Sequence, residues 1–209
     1  DFPEMLPVSP EGGEIKAGKF SEAKETTSVT AYGIQVPISR QMLVNDSLGG
    51  IQQILNDRGA AVARFEEKTF YAMMLGGSNA DGPTLVETSR QVFNTTDNTK
   101  SSSGGAIGVT TVSVGRAKMM AQTSSDGGKL GLYPTILLCG PDKLTEAEQL
   151  VAAIQPTQAS NVNVFSGRLD PVSTPWITGN AWYLFADPGA AACFEWGLLD
   201  GYSAPRFRM

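Results

Sequence analysis

The stretch Tyr32-Gly33-Ile34-Gln35-Val36-Pro37-Ile38-Ser39-Arg40-Gln41-Met42-Leu43-Val44-Asn45-Asp46 decides how this chain is read. In its first half Tyr32, Ile34, Val36 and Ile38 alternate with Gly33, Gln35, Pro37 and Ser39. That period of two gives a strand one apolar and one polar face. Pro37 has no N–H for a ladder, which places it on an edge or at a strand end. The second half leads into Asn45-Asp46-Ser47, a set of helix-capping residues. From there the sequence predicts one long helix over 48–75, with Ile51, Leu55, Val62, Phe65, Thr69 and Met73 on a single stripe. Arg58, Arg64, Glu66, Glu67 and Lys68 add charge along it, and Gly76-Gly77 ends it. At 1.5 Å per residue the helix is roughly 40 Å long. Such a rod outruns most compact domains and suits a spine.

Upstream, residues 1–9 are Pro-rich and extended, and Glu11-Gly12-Gly13-Glu14 signals a turn. Residues 13–20 and 26–39 read as two strands joined by the polar stretch 21–25. Residues 11–40 thus form a Gly- and Lys-rich arm with too few apolar residues to hold itself in place. Neighbouring copies of the chain are expected to supply the missing contacts. The chain opens on Asp1-Phe2-Pro3 without an initiator Met, which reads as a fragment or a processed product.

Downstream, Gly82-Pro83 starts a new segment, and 94–105 is poor in apolar residues and reads as a mobile loop. A second helix is expected over 110–122, with Val112, Val114, Ala117 and Met120 as its apolar positions. Asp126-Gly127-Gly128 is a turn and 135–139 a buried strand. Gly140-Pro141-Asp142 leads to a third helix over 143–154, facing inward through Leu144, Ala147, Val151 and Ile154. Pro156 ends it, and strands are expected over 162–169, 181–186 and 192–198. Helices and strands mix without regular βαβ alternation, so the class is α+β.

Composition narrows the chemistry. Of 209 residues, 41% are hydrophobic and 18% charged, the balance of an ordinary folded protein. The net charge is −5 with scattered cations, which leaves no electrostatic footprint for gripping nucleic acid. There is no histidine, so Ser-His-Asp and Cys-His mechanisms are excluded within the chain. Cys139 and Cys193 each sit in an apolar run and read as buried reduced thiols. No apolar run approaches the ~20 residues that span a bilayer. Ser21-Glu22-Ala23-Lys24 matches Ser-x-x-Lys but lacks the companion motifs that give it meaning. Asp142, Glu146 and Glu148 fall in the first turns of a helix, where carboxylates suit the macrodipole. Trp176, Trp182 and Trp196 gather with Tyr183, Phe185 and Phe194, which reads as core packing, with an aromatic ligand platform as the alternative. No cofactor or metal set emerges.

Several stretches together carry a resemblance: Pro7-Val8-Ser9-Pro10-Glu11-Gly12-Gly13-Glu14, Ser21-Glu22-Ala23-Lys24-Glu25, the quoted 32–46 block, Trp182-Tyr183-Leu184-Phe185-Ala186-Asp187-Pro188 and Leu199-Asp200-Gly201. Their order is similar to the Mu-like major head subunits of tailed phages, often fused to a prohead protease, which resemble the HK97-type capsid fold. The resemblance implies an E-loop-like arm over 1–46, a peripheral domain with the spine helix over 47–106, and an axial domain with the start of a return over 107–209. It implies a structural, non-enzymatic subunit of an icosahedral shell around double-stranded DNA, located in the virion and, before assembly, in the cytoplasm of a bacterial host. Implied partners are other copies in pentamers and hexamers, a portal, scaffold or maturation protease, and DNA held without sequence preference, with no membrane. On the arm, Lys16, Lys19 and Lys24 would pair with acids of a neighbouring subunit, and Ile34, Val36 and Ile38 would be partly covered there. An encapsulin-like protein shell is the nearest alternative. A carboxylate-based hydrolase or carbohydrate-binding module is the alternative from another class.

Overall fold

The computed structural model describes residues 25, 28–35, 37, 39–45, 49–102, 104–124, 127–152 and 164–200. In chain order these form α1 (Arg40–Asn45), α2 (Gly50–Met74), α3 (Val109–Met120), β1 (Pro134–Cys139), α4 (Leu144–Val151), β2 (Asp170–Ser173) and β3 (Trp182–Ala186). Short 3-10 turns at Ser78–Ala80 and Pro141–Lys143 join some of them.

The apolar run of β1 makes it the centre of a three-stranded sheet ordered β2-β1-β3. A strand covered on both faces reads as a continuous hydrophobic run, and Ile136-Leu137-Leu138-Cys139 is one. β2 pairs parallel to β1, with Leu137 opposite Pro171. Parallel neighbours need a crossover, and α4 lies within it. β3 pairs antiparallel, with Leu137 opposite Leu184 and Cys139 opposite Trp182. Pro171 has no N–H to give, and the edge position of β2 tolerates it. The sheet is mixed and small, and the class is α+β.

Side-chain alternation along β1 and β3 splits the interior in two. On one face Leu137 and Cys139 join Val112 of α3, Ala147 and Leu150 of α4, Phe165 and Leu169, with Trp182 and Leu184 packed alongside. On the other, Leu138 joins Met74 of α2 and Ile177, flanked by Phe70, Tyr71, Phe93, Tyr183, Phe185 and Phe194. Phe93 lies 5.1 Å from Tyr183 and 6.2 Å from Phe194 between ring centroids, within the range of favourable aromatic pairs. Gly140 lets the chain leave β1 against the segment around Ile177. A Cβ there would stand 2.4 Å from the Ile177 carbonyl oxygen.

Several expectations change. Residues 28–35, read as strand, have no ladder partner among the described residues. Ser39 instead starts α1, its Oγ accepting the Met42 N–H at 3.2 Å as an N-cap. α2 begins after Gly49, at φ 68° and with no side-chain cap, so Asn45 is not its cap. Asp46 and Ser47 lie outside the described residues. Of the expected strand 162–169, residues 164–168 form a turn, Phe165 and Leu169 are buried, and 162–163 lie outside the described residues. Its apolar spacing mimics a strand, but the spacing belongs to two anchors on a loop. Residues 192–198 form no ladder among the described residues. In α3 only Val112 is buried, and Val114, Ala117 and Met120 face outward. In α4 Ala147 and Leu150 are the buried pair, Leu144 and Val151 are half-buried, and Ile154 lies outside the described residues. Cys139 is buried and Cys193 exposed, both as free thiols.

The segment read as a mobile loop is instead bound by side chains over 94–100. Asn94 Nδ2 donates to the Gln91 carbonyl and to Asp97 Oδ2, both at 2.8 Å. The Asp97 N–H donates back to Asn94 Oδ1 at 2.8 Å. The Arg90 guanidinium grips Asp97 through Nε at 2.9 Å and Nη2 at 2.8 Å. Lys100 pairs with Asp81. Polar side chains can pin a loop that owns few apolar residues, which composition alone hides.

Candidate assembly surface

α2 is a 25-residue rod of which only Met74 is buried among its described side chains. Phe70 and Tyr71 join the core beside it, so the anchor lies in the last turn and a half. Along the preceding turns Ile54 and Phe65 are exposed and Val62 and Thr69 are half-buried, and Met73 within the last turn is exposed too. Among the described residues the expected stripe therefore lies outside both core clusters, and the side chains of Ile51 and Leu55 lie outside the described set. An isolated helix draws modest stability from local bonds, since most helical stability comes from packing. Thr69 Oγ1 donates back to the Phe65 carbonyl at 2.8 Å, a bond that satisfies the hydroxyl and adds no helical stability. One further tie holds the rod to the sheet. Buried Thr174 donates from Oγ1 to Glu67 Oε1 at 3.4 Å, while its N–H donates to the Cys139 carbonyl at 3.1 Å.

The arm touches its own subunit at two described points. Glu25 accepts the Val86 N–H at 2.9 Å and the Glu87 N–H at 3.2 Å. Tyr32 sits edge-on to Phe65 of α2, with ring centroids 4.8 Å apart. Between and beyond these points apolar side chains stand in water. Val29, Tyr32 and Met42 are exposed, Ile34 is 67% exposed and Val44 78%. Ile34 is the one expected arm contact within the described residues. Lys16, Lys19, Lys24, Val36 and Ile38 lie outside them.

α3 shows the same character. Its described charges are both turned to partners within the subunit: Arg116 stacks 4.9 Å from the Phe165 ring centroid, and Lys118 reaches Asn98 Oδ1 at 3.5 Å. The exposed positions Val109, Thr110, Val114, Ala117 and Met120 carry no charge. Leu130, Tyr133, Trp196, Leu198 and Leu199 are exposed as well. Among the described residues nineteen large apolar side chains are exposed and ten apolar residues are buried. Scattered single exposures are normal; here, among the described residues, they gather along the arm, α2 and α3.

Reactive chemistry is sparse by comparison. Among the described residues no three His, Cys, Asp or Glu side chains converge as a metal set. Glu146 pairs with Lys143 at 2.6 Å, and Asp142 and Glu148 are exposed. Burial, with Glu148 nearby, pushes the Cys139 thiol above its usual range, away from the nucleophilic thiolate. Burial and then Asp81 do the same to Tyr183, whose hydroxyl donates to the Ala80 carbonyl at 3.2 Å. The aromatic group packs on itself through Tyr183, Phe185 and Phe194. Trp182 donates Nε1–H to the Gly105 carbonyl at 2.8 Å. No described helix is long and apolar enough to cross a membrane. Sequence reasoning did not assign a role to Glu25, Arg116 or the polar knot around Asp97, because each works through a distant or loop partner.

Among the described residues this surface offers apolar contact area. Comparison with curated proteins yields no match, and neither does comparison with solved structures. Comparison with protein families matches residues 22–209 to the family described as phage capsid protein. A capsid subunit is a structural protein that meets copies of itself in the shell of a virion, which accounts for apolar area left uncovered on a single chain. With nearly its whole length matched, the chain belongs to this phage capsid protein family.

Proposed function

We propose that the chain is the major head subunit of an icosahedral shell enclosing double-stranded DNA, built on the HK97-type plan and related to the Mu-like head proteins. The observation that supports this reading is the apolar surface along the arm and α2, most of which stays exposed among the described residues. Residues 1–46 act as the E-loop-like arm, 47–106 as the peripheral domain with α2 as its spine, and 107–209 as the axial domain with the start of the return. Each arm lies over the neighbouring copy. Ile34, Val36 and Ile38 give it an apolar face, and Lys16, Lys19 and Lys24 pair with acids there. Each exposed pair contributes only ~0–1 kcal/mol, so closure rests on their repetition around rings. The net charge of −5 suits a wall along which packaged DNA slides without being gripped. Portal, scaffold and maturation protease are its further partners before and during shell closure.

Two variants test this. Deletion of residues 13–24, which leaves Glu25 in place, and Ile34→Asp are each expected to leave the dispersed subunit folded and to abolish closed particles in negative-stain micrographs. Normal particles from both variants would refute the arm as an intersubunit clamp.

A further inference from the structure

We propose that the tip of the 84–91 hairpin is a carboxylate receptor that fixes the arm to its own subunit through Glu25. Thr84 and Gln91 bridge the base of this hairpin. Leu85 donates its N–H to the Arg90 carbonyl at 2.8 Å, and Ser89 donates to the Leu85 carbonyl at 3.0 Å. These bonds leave the N–H groups of Val86 and Glu87 to find partners elsewhere, as every backbone donor does. Both point to one anion. Glu25 Oε2 takes the first at 2.9 Å and Oε1 the second at 3.2 Å. Two successive amides on one carboxylate use both oxygens, and charge assistance makes each bond stronger than a neutral one.

The receptor is rigid. Val92 donates to the Pro83 carbonyl at 3.1 Å and Phe93 to the Asp81 carbonyl at 2.9 Å, tying the hairpin base to the aromatic core. Arg90, at the end of the tip, is held by the Asp97 carboxylate. Glu25 therefore anchors the arm to a fixed point, and Tyr32 on Phe65 supplies a second. Two fixed points, at Glu25 and Tyr32, hold the described part of the arm. A segment already held in direction loses less conformational entropy when it docks. This benefit to shell closure rests on the reading of the arm as an intersubunit clamp; the latch itself does not.

Hydrogen exchange of the dispersed full chain decides it. Glu25 is exposed, so Glu25→Ala and Glu25→Gln are expected to fold, with thermal midpoints lowered by no more than about a few degrees. In Glu25→Ala the amides of Val86 and Glu87 are expected to exchange about tenfold faster, while those of Leu85, Val92 and Phe93 keep their rates. Glu25→Gln, with one neutral acceptor, falls between. Equal exchange at Val86 and Glu87 in wild type and Glu25→Ala would overturn the latch. If no particles form from any chain, wild type included, the exchange result still stands or falls alone, and only the assembly reading is lost.

Discussion

Glycine-to-alanine substitution at two positions should move stability in opposite directions, because the same methyl group meets a wall at one and water at the other. At Gly140 the backbone has φ −77° and ψ 166°, a conformation alanine adopts freely, so no backbone strain enters. The obstacle is the Ile177 carbonyl oxygen, 2.4 Å from the added Cβ, with its carbonyl carbon at 3.2 Å. These are backbone atoms and cannot rotate away. The gap must open from 2.4 Å to beyond 3.0 Å. Ile177 is itself 1% exposed and packs with Met74 and Leu138, and Thr174 binds both Cys139 and Glu67. Opening the gap thus loosens the sheet, the loop and the end of α2 together. Overpacking of this kind costs about 1–3 kcal/mol. The lower entropy of the unfolded alanine chain returns about 0.4–1 kcal/mol. A net loss of ~1–2 kcal/mol follows, or roughly 3–6 °C in Tm for a chain of this size.

Gly59 lies inside α2 with nothing within 4 Å of an added Cβ. There alanine gains helix propensity and is expected to stabilise by about 0.5–1 kcal/mol. Thermal unfolding of the dispersed subunit, followed by circular dichroism, reads both. A Gly140→Ala protein as stable as wild type would refute the close packing of the 174–177 segment on the end of β1. A Gly59→Ala protein less stable than wild type would refute the exposed course of α2 at that point.

Two further outcomes follow from the polar knot and the thiols. The Asn94 amide first, and the Arg90 guanidinium after it, hold the Asp97 carboxyl below its usual range despite some desolvation. The folded pKa lies below the unfolded one, so the contribution is complete above the ordinary carboxylate range and fades as pH falls through the folded value. Asp97→Asn should lower stability by a few tenths to about 1 kcal/mol at pH 7, since the site is partly exposed, and the gap in denaturant midpoint from wild type should close in acid; a gap that is constant with pH would contradict this. Desolvation raises the Cys193 thiol as well, so exposure alone separates the two: in the native subunit a water-soluble thiol reagent should modify Cys193 before Cys139, and mass spectrometry of the peptides would show the reverse if their placement were wrong.

Much of this protein follows from local pattern. The long helix is written in good helix formers between Gly49 and Gly76-Gly77, and its observed span, Gly50–Met74, falls within the expected 48–75. β1 and β3 stand out as short apolar runs between turn residues, and neighbour-to-neighbour periodicity suffices for such elements. The expected self-association also begins there, in an arm and a rod whose apolar residues are too sparse to make a core. What the chain could not disclose one window at a time is which element pairs with which. The parallel register of β2 on β1, the burial of Phe165 and Leu169 on a loop, and the two-faced core all depend on residues far apart in sequence. The same holds for Glu25, whose amide partners lie 61 and 62 residues away. Periodicity reports which side of an element avoids water, and only the folded chain decides what stands on that side. For Val114, Ala117 and Met120 of α3 and for most of α2 the described core clusters lie elsewhere, and that open face is the tertiary structure's own contribution.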